Sequence, residues 1–245
     1  MTGRDAASYS SRRMPAPRYG RDLLRMVPIF AHLPEAEIEG LARLVEARSV
    51  SAGALVVGQE DRGEALFVLA RGRVKVVLYG ESGRELILHV FRRPGDFFGE
   101  MSLLDGRPRS ASVVAAEASE LLVLSRDAFR EHLRRSTGTA LAVLAEMSRR
   151  LREADEVIGN LALLDVYGRL ARKLREMADS DGEPGPEGVV IRDLPTQSEI
   201  AAMIGTSRET VSRAFAELAR RGAVRLSGRR LVVRPELIAV AARER

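Results

Sequence analysis

Across residues 137–164, apolar side chains recur at Ala140, Leu144, Met147, Leu151, Ala154, Ile158 and Leu161, in alternating steps of four and three. That alternation is the seam of a coiled coil, in which one stripe of a helix packs on a copy of itself. Charged residues, among them Glu146, Arg149, Arg150, Arg152, Glu153, Asp155 and Glu156, flank the stripe. A helix lying on its own domain usually carries a wider apolar face. The pattern therefore predicts a long helix that pairs two copies of the chain, although packing within one copy fits the same spacing.

The texture differs on either side. Residues 1–20, rich in Ser, Arg, Pro and Gly and without periodicity, read as a disordered tail. Residues 23–45 read as short helical pieces, one starting at Leu33-Pro34-Glu35 with Ile38, Leu41 and Leu44 on one face. From 48 to 125, short β-rich runs (55–57, 65–69, 73–79, 85–91, 111–114, 121–124) alternate with Gly, Pro, Ser and Asp turn signals. Many short strands at near-regular spacing predict an antiparallel roll or jelly roll. A short helix over 126–135 leads into the long one.

After it, 165–178 reads as an amphipathic helix, 179–188 as an acidic Gly/Pro loop, and 189–191 as a strand. Thr196 and Glu199 have capping-box spacing, opening a helix that runs to Ile204 and breaks at Gly205. A second helix runs from Ser207 to Arg221, with Gly222 as its stop. Short strands at 224–226 and 231–233 flank Ser227-Gly228, a hairpin of wing size. The predicted class is α+β: a roll, a long helix and a winged helix-turn-helix. The predicted domains are a tail (1–20), the roll domain (21–136), the long helix and hinge (137–164) and the C-terminal domain (165–245).

Composition narrows the chemistry. The 245 residues are 45% hydrophobic, enough for a packed core, and contain no Cys, which excludes disulfides and thiolate metal sites. The three His (His32, His89, His132) lie far apart in sequence without ligand spacing. No apolar run reaches membrane-spanning length and no signal-peptide core opens the chain, so a cytoplasmic protein without membrane attachment is expected. No nucleophile–base pair or Walker-type loop argues for an enzyme. The net charge is +5, and residues 196–245, with ten Arg against five acids, carry all of it. A basic end on a neutral body is the footprint of a phosphate-backbone binder.

In the second C-terminal helix, Val211, Phe215 and Leu218 form one apolar face, leaving Ser207, Arg208, Glu209, Ser212 and Arg213 on or near the exposed N-terminal face. That end enters the DNA major groove in a helix-turn-helix. Arg suits the O6 and N7 acceptors of guanine, and Glu accepts from the N4 amine of cytosine. A solvated charged helix is the bland reading of the same residues.

The run Ser207-Arg208-Glu209-Thr210-Val211-Ser212-Arg213 resembles the recognition helix of the CRP/FNR family of bacterial transcription regulators, and Gly159–Val166 with Gly168-Arg169 is similar to that family's hinge. The resemblance spans roughly residues 25–235. It implies a homodimer on double-stranded DNA, at a near-palindrome with half-sites close to TGTGA and centres about 34 Å apart. It implies base reading by Arg208, Glu209 and Arg213, with Ser212 beside them, and phosphate contacts from Thr196 and Ser207. The dimer seam would be Leu144, Met147, Leu151, Ala154, Ile158 and Leu161. RNA polymerase would be a further partner, and activation the expected role.

Phe97–Leu104 followed by Arg109-Ser110-Ala111-Ser112 is the second constellation. Gly99 permits close backbone approach, the following helical turn offers N–H groups, Arg109 offers a planar fork for phosphate oxygens, and Glu100 can accept from a ribose hydroxyl. By themselves these residues are equally a tight turn beside a surface Arg. By resemblance they match the phosphate cassette of the cyclic-nucleotide-binding fold, which carries over Gly99, Glu100, Met101, Arg109 and Ser110 as ligand residues. The family's base-contacting pair on the long helix, typically Thr followed by Ser or Asn, is Ala154-Asp155 here. An ionised Asp155 only accepts, which suits the N1–H and N2 amine of guanine better than adenine; equally, Asp155 is a flanking seam charge. The resemblance makes cyclic AMP the expected effector, and the departure at Ala154-Asp155 puts cyclic GMP or cyclic di-GMP next, or none. A ligand-independent regulator and a cyclic-nucleotide-binding regulatory subunit of an enzyme are the competing readings; the basic helix-turn-helix argues against the second.

Overall fold

A computed structural model describes residues 13–15, 20–81, 83–235 and 237. Contacts divide the chain into two compact units: residues up to Leu78 with 88–149, and Tyr79–Ile87 with the chain from Arg150 onward.

In chain order the first part runs β1 (Arg13–Pro15), α1 (Gly20–Met26), α2 (Glu35–Ala42), β2 (Val45–Val50), β3 (Leu55–Val57), β4 (Ala65–Arg71), β5 (Val74–Tyr79), β6 (Glu85–Phe91), β7 (Phe97–Phe98), α3 (Met101–Asp105), β8 (Ser112–Ala115), β9 (Ser119–Ser125), α4 (Arg126–Arg135) and α5 (Thr137–Leu163). The strands form two sheets, in the orders β1-β2-β9-β4-β7 and β3-β8-β5-β6, with antiparallel pairing such as Leu66↔Leu124 and Val76↔Val113. β4 is apolar on both faces because each face is covered. Leu66 and Val68 join Leu24, Ile38, Leu122, Leu124 and Phe129 in a core between sheet and helices. Phe67 and Leu69 join Val74, Phe98, Val113 and Leu121 in a second core. Alternation along a strand sends neighbouring side chains to opposite faces, so a doubly covered strand reads as a continuous apolar run.

The second part runs α6 (Val166–Asp181), β10 (Glu183–Gly185), β11 (Gly188–Ile191), α7 (Gln197–Ile204), α8 (Arg208–Arg220), β12 (Val224–Ser227) and β13 (Arg230–Val233). Its sheet has the order β10-β11-β13-β12. Leu170, Leu174, Ile200, Ile204, Val211, Phe215, Leu218 and Leu231 share one core. The antiparallel roll, long helix and winged helix-turn-helix are thus the observed α+β architecture.

Several elements differ from the sequence expectations. Within the supposed tail, Arg13–Pro15 pairs with β2 across Arg13↔Arg48 and Pro15↔Glu46; residues 1–12 and 16–19 lie outside the described residues. Val45, placed at the end of a helical stretch, instead opens β2, an interior strand held between β1 and β9. α6 continues to Asp181, and the supposed acidic loop contributes β10. His32 and His132, distant in sequence, meet at one joint: His132 Nε2 lies 2.9 Å from Thr139 Oγ1, and a Cβ on Gly138 would stand 2.6 Å from His32 Nε2. Among the described residues no His/Cys/Asp/Glu group is placed to hold a metal, and no helix is long and apolar enough to cross a membrane.

Candidate functional site

The roll delivers its candidate residues through β7. The Phe98 ring stacks on Phe67 and Phe91, at centroid distances of 5.2 and 5.7 Å. This anchors the strand that leads into Gly99, which has φ +89°. The carbonyl of Gly99 accepts from Arg109 Nη1 at 2.5 Å, and the carbonyl of Ala65 accepts from Nη2 at 2.8 Å. A Cβ on Gly99 would stand 2.6 Å from that Nη1. The glycine therefore makes room for the Arg109 guanidinium, a role that the sequence reading did not include. The Arg109 fork is likewise not idle, because two of its nitrogens already hold backbone carbonyls.

The main chain of Arg109 is fixed as well. Its N–H donates to Asp61 O at 2.9 Å, and its carbonyl accepts from Glu60 N–H at 3.0 Å. The residue is 4% exposed, and its buried Nε makes no hydrogen bond. Burial pushes the guanidinium below the usual arginine value, the charge of Glu100 raises it, and the charge of Arg126 lowers it again. An arginine nonetheless keeps its proton at neutral pH, so this is a buried, oriented cation whose Nε has no hydrogen-bond partner. Such donors are rare in folded proteins, and an anion oxygen is a fitting partner for one.

Glu100 is buried beside it at the start of α3, where its carbonyl accepts from the N–H groups of Leu103 and Leu104. Met101 and Ser110 stand exposed at the mouth, with Ser110 Oγ 4.0 Å from Met101 Sδ. Gly99, Glu100, Met101, Arg109 and Ser110 are therefore brought together. The loop around Asp61 and the carbonyl of Ala65 were missed from sequence, because a backbone carbonyl carries no residue signature. Ala154 and Asp155 lie exposed on α5 in the second unit.

Along α5 the apolar stripe faces outward: Leu144, Leu151 and Ile158 are each more than 60% exposed, and Leu161 is 44% exposed. Met147, on the same stripe, is partly buried against the helix-and-sheet core of the roll.

In the second unit, Thr196 caps α7 in a full capping box: its Oγ1 accepts from Glu199 N–H at 3.2 Å and donates to Glu199 Oε2 at 2.9 Å. Gly205 closes α7 in the left-handed conformation (φ +67°), which starts the turn. Ser207 caps α8, its Oγ accepting from Thr210 N–H at 3.2 Å. Both hydroxyls expected at DNA phosphates are thus already engaged in capping. Val211, Ala214, Phe215 and Leu218 are buried, leaving Arg208, Glu209, Ser212 and Arg213 exposed. Neither Arg208 nor Arg213 enters an ion pair among the described residues. The Glu209 carboxyl is held below the usual carboxylate range by its own backbone N–H and by Ser207, with Arg208 and Arg213 adding to the effect. It is an acceptor at neutral pH.

Five other arginines of this unit are already paired with carboxylates. Arg220 and Arg221 each lie 2.6 Å from Glu217, Arg225 and Arg234 both reach Glu187, and Arg229 Nη2 lies 2.6 Å from Asp193 Oδ1.

Comparison with known proteins agrees with this geometry. Residues 47–136 match the family described as "Cyclic nucleotide-binding domain", and residues 168–237 match "Crp-like helix-turn-helix domain". The chain is 32% identical over 213 residues to a CRP-like cAMP-activated global transcriptional regulator of Mycobacterium tuberculosis, covering 86% of this chain and 94% of that one. It is 37% identical over 199 residues to the cyclic AMP receptor protein of Thermus thermophilus, covering 81% and 88%. The solved structure of the c-di-GMP-responsive global regulator CLP of Xanthomonas campestris shares the fold, with a TM-score of 0.71 at 24% identity over 82% of this chain and 99% of that one. A cyclic-nucleotide-binding roll followed by a Crp-like helix-turn-helix, matched nearly end to end by named transcriptional regulators, places the chain in the CRP/FNR family of transcription regulators rather than among enzymes.

Proposed function

We propose that the chain acts as a homodimer, paired along α5, that reads a near-palindromic DNA site with α8 of each copy and is controlled by a cyclic nucleotide held in the roll. The observation that carries this reading is the N-terminal face of α8. Arg208, Glu209, Ser212 and Arg213 stand exposed on a helix capped by Ser207, with the two arginines acting on the Glu209 carboxylate between them. In the roll, Arg109 with its open Nε would take the phosphate, Glu100 the ribose, and Met101, Ser110 and the backbone at Gly99 would frame the pocket. Cyclic AMP is the leading effector, since the relatives in M. tuberculosis and T. thermophilus are named for it. A guanine nucleotide, cyclic GMP or cyclic di-GMP, is the second reading, favoured by the acceptor-only carboxylate of Asp155. The protein would work in the cytoplasm, with RNA polymerase as its partner at promoters.

The test is a fluorescence-anisotropy titration on a duplex carrying TGTGA half-sites and on a scrambled duplex, alone and with each of the three nucleotides. The matched duplex should bind tighter, and one nucleotide should widen the difference. Glu209→Ala should cost about 1–3 kcal/mol on the matched site and relax discrimination at one base pair. Equal affinity for both duplexes under every condition would end the sequence-reading assignment.

A further inference from the structure

Arg126 is the first residue of α4, and its side chain reaches back into the roll. Its Nε donates to Gly63 O at 2.6 Å and its Nη2 to Ser102 O at 3.2 Å, while its backbone N–H donates to Glu64 O at 2.8 Å. One residue thereby holds three carbonyls from two separate segments. The first, Gly63-Glu64, runs directly into Ala65, whose carbonyl orients Arg109. The second is α3, which begins next to Glu100 and carries Met101. These segments are in close contact: a Cβ on Gly63 would lie 2.3 Å from Ser102 Cβ.

We propose that Arg126 is a positioning residue for the cassette, clamping α3 to the strand entry that aims Arg109 and tying both to the start of α4. The proposal rests on reading the cassette as a nucleotide site. The geometry explains why arginine stands here: a planar fork can serve two carbonyls on different segments at once, which a lysine ammonium on a flexible stem does poorly. Because the clamp belongs to α4, and α4 is followed after Ser136 by α5, a shift of α3 on ligand binding would be passed to the helix on which the dimer seam lies.

The experiment compares wild type, Arg126→Gln and Arg126→Lys as full-length protein. Amide hydrogen exchange without nucleotide should quicken at 61–65 and 99–105 in both variants, with 197–220 unchanged. Calorimetry with cyclic AMP, cyclic GMP and cyclic di-GMP should show affinity for the bound nucleotide about tenfold weaker in both variants, as loss of one charge-assisted hydrogen bond would give. The salt dependence of binding should stay as in wild type in Arg126→Lys, which keeps the charge that acts on Arg109. Wild-type exchange at 61–65 and 99–105 overturns the clamp. Wild-type affinity in Arg126→Lys, with a flattened salt dependence in Arg126→Gln, overturns positioning in favour of a directly acting charge. If wild type binds none of the three nucleotides, the cassette reading fails, and the exchange result by itself upholds or overturns the clamp.

Discussion

Arg109 is held in place by the backbone around it. Two of its nitrogens hold Gly99 O and Ala65 O, and its own backbone is tied to Glu60 and Asp61. Arg109→Leu should abolish nucleotide binding at millimolar concentrations by calorimetry. Arg109→Lys keeps the charge but cannot hold both carbonyls in one plane, so it should still lose on the order of a hundredfold in affinity. Near-wild-type affinity in the lysine variant would mean that charge alone suffices. At this scale the sequence revealed residue types and little else. Gly99, Glu100, Arg109 and Ser110 were readable as a group, whereas the reason for the glycine was not, because it depends on where the Arg109 guanidinium folds back.

Among the elements, the α4–α5 joint has a defined pH response. His132 Nε2 meets Thr139 Oγ1, Phe30 stands edge-on to its ring at 5.7 Å, and Ser136 Oγ lies 3.1 Å from the same threonine oxygen. Burial pushes the His132 imidazole below its ordinary value, with Glu37 opposing and His32 and Arg135 reinforcing the shift. The folded chain therefore favours neutral His132, while the unfolded chain takes up a proton near the ordinary value of about 6.5. Stability from this joint is present above that value and is lost as pH falls below it. Thermal melts at pH 7.5 and 5.5 should show the lower melting temperature at 5.5, and His132→Gln should narrow the gap; an unchanged gap would remove His132 as its source. Elements with a strong local signal were legible from sequence: α5 from its period, α7 from its capping box and α8 from the Ser207 cap and Gly222. β2 was not, since Glu46, Arg48 and Ser49 break its apolar pattern and its strand identity comes from neighbours distant in sequence. β7 is two residues long, too short for any periodicity to register.

For the whole molecule, the apolar stripe on α5 is the largest unmet demand. Burying a leucine side chain contributes about 1.5–3 kcal/mol, and Leu144, Leu151, Ile158 and Leu161 all stand exposed in the single chain. Sedimentation should find a dimer, and Leu151→Glu should yield monomers by bringing like charges to the seam; a monomeric wild type would remove the architecture proposed here. The C-terminal arginines lead to a different conclusion from the one their number invites. Glu217, Glu187 and Asp193 already engage Arg220, Arg221, Arg225, Arg234 and Arg229, so phosphates must compete for them. The slope of log affinity against log salt, which counts displaced counterions, should be shallower than ten arginines per copy would give, and Glu187→Gln should steepen it. With a slope that shallow, a regulator built this way would adhere weakly to arbitrary chromosome. It would spend little of its time parked on the wrong sequence, and its occupancy of a promoter would be governed by how well a few base pairs fit rather than by how much DNA surrounds them.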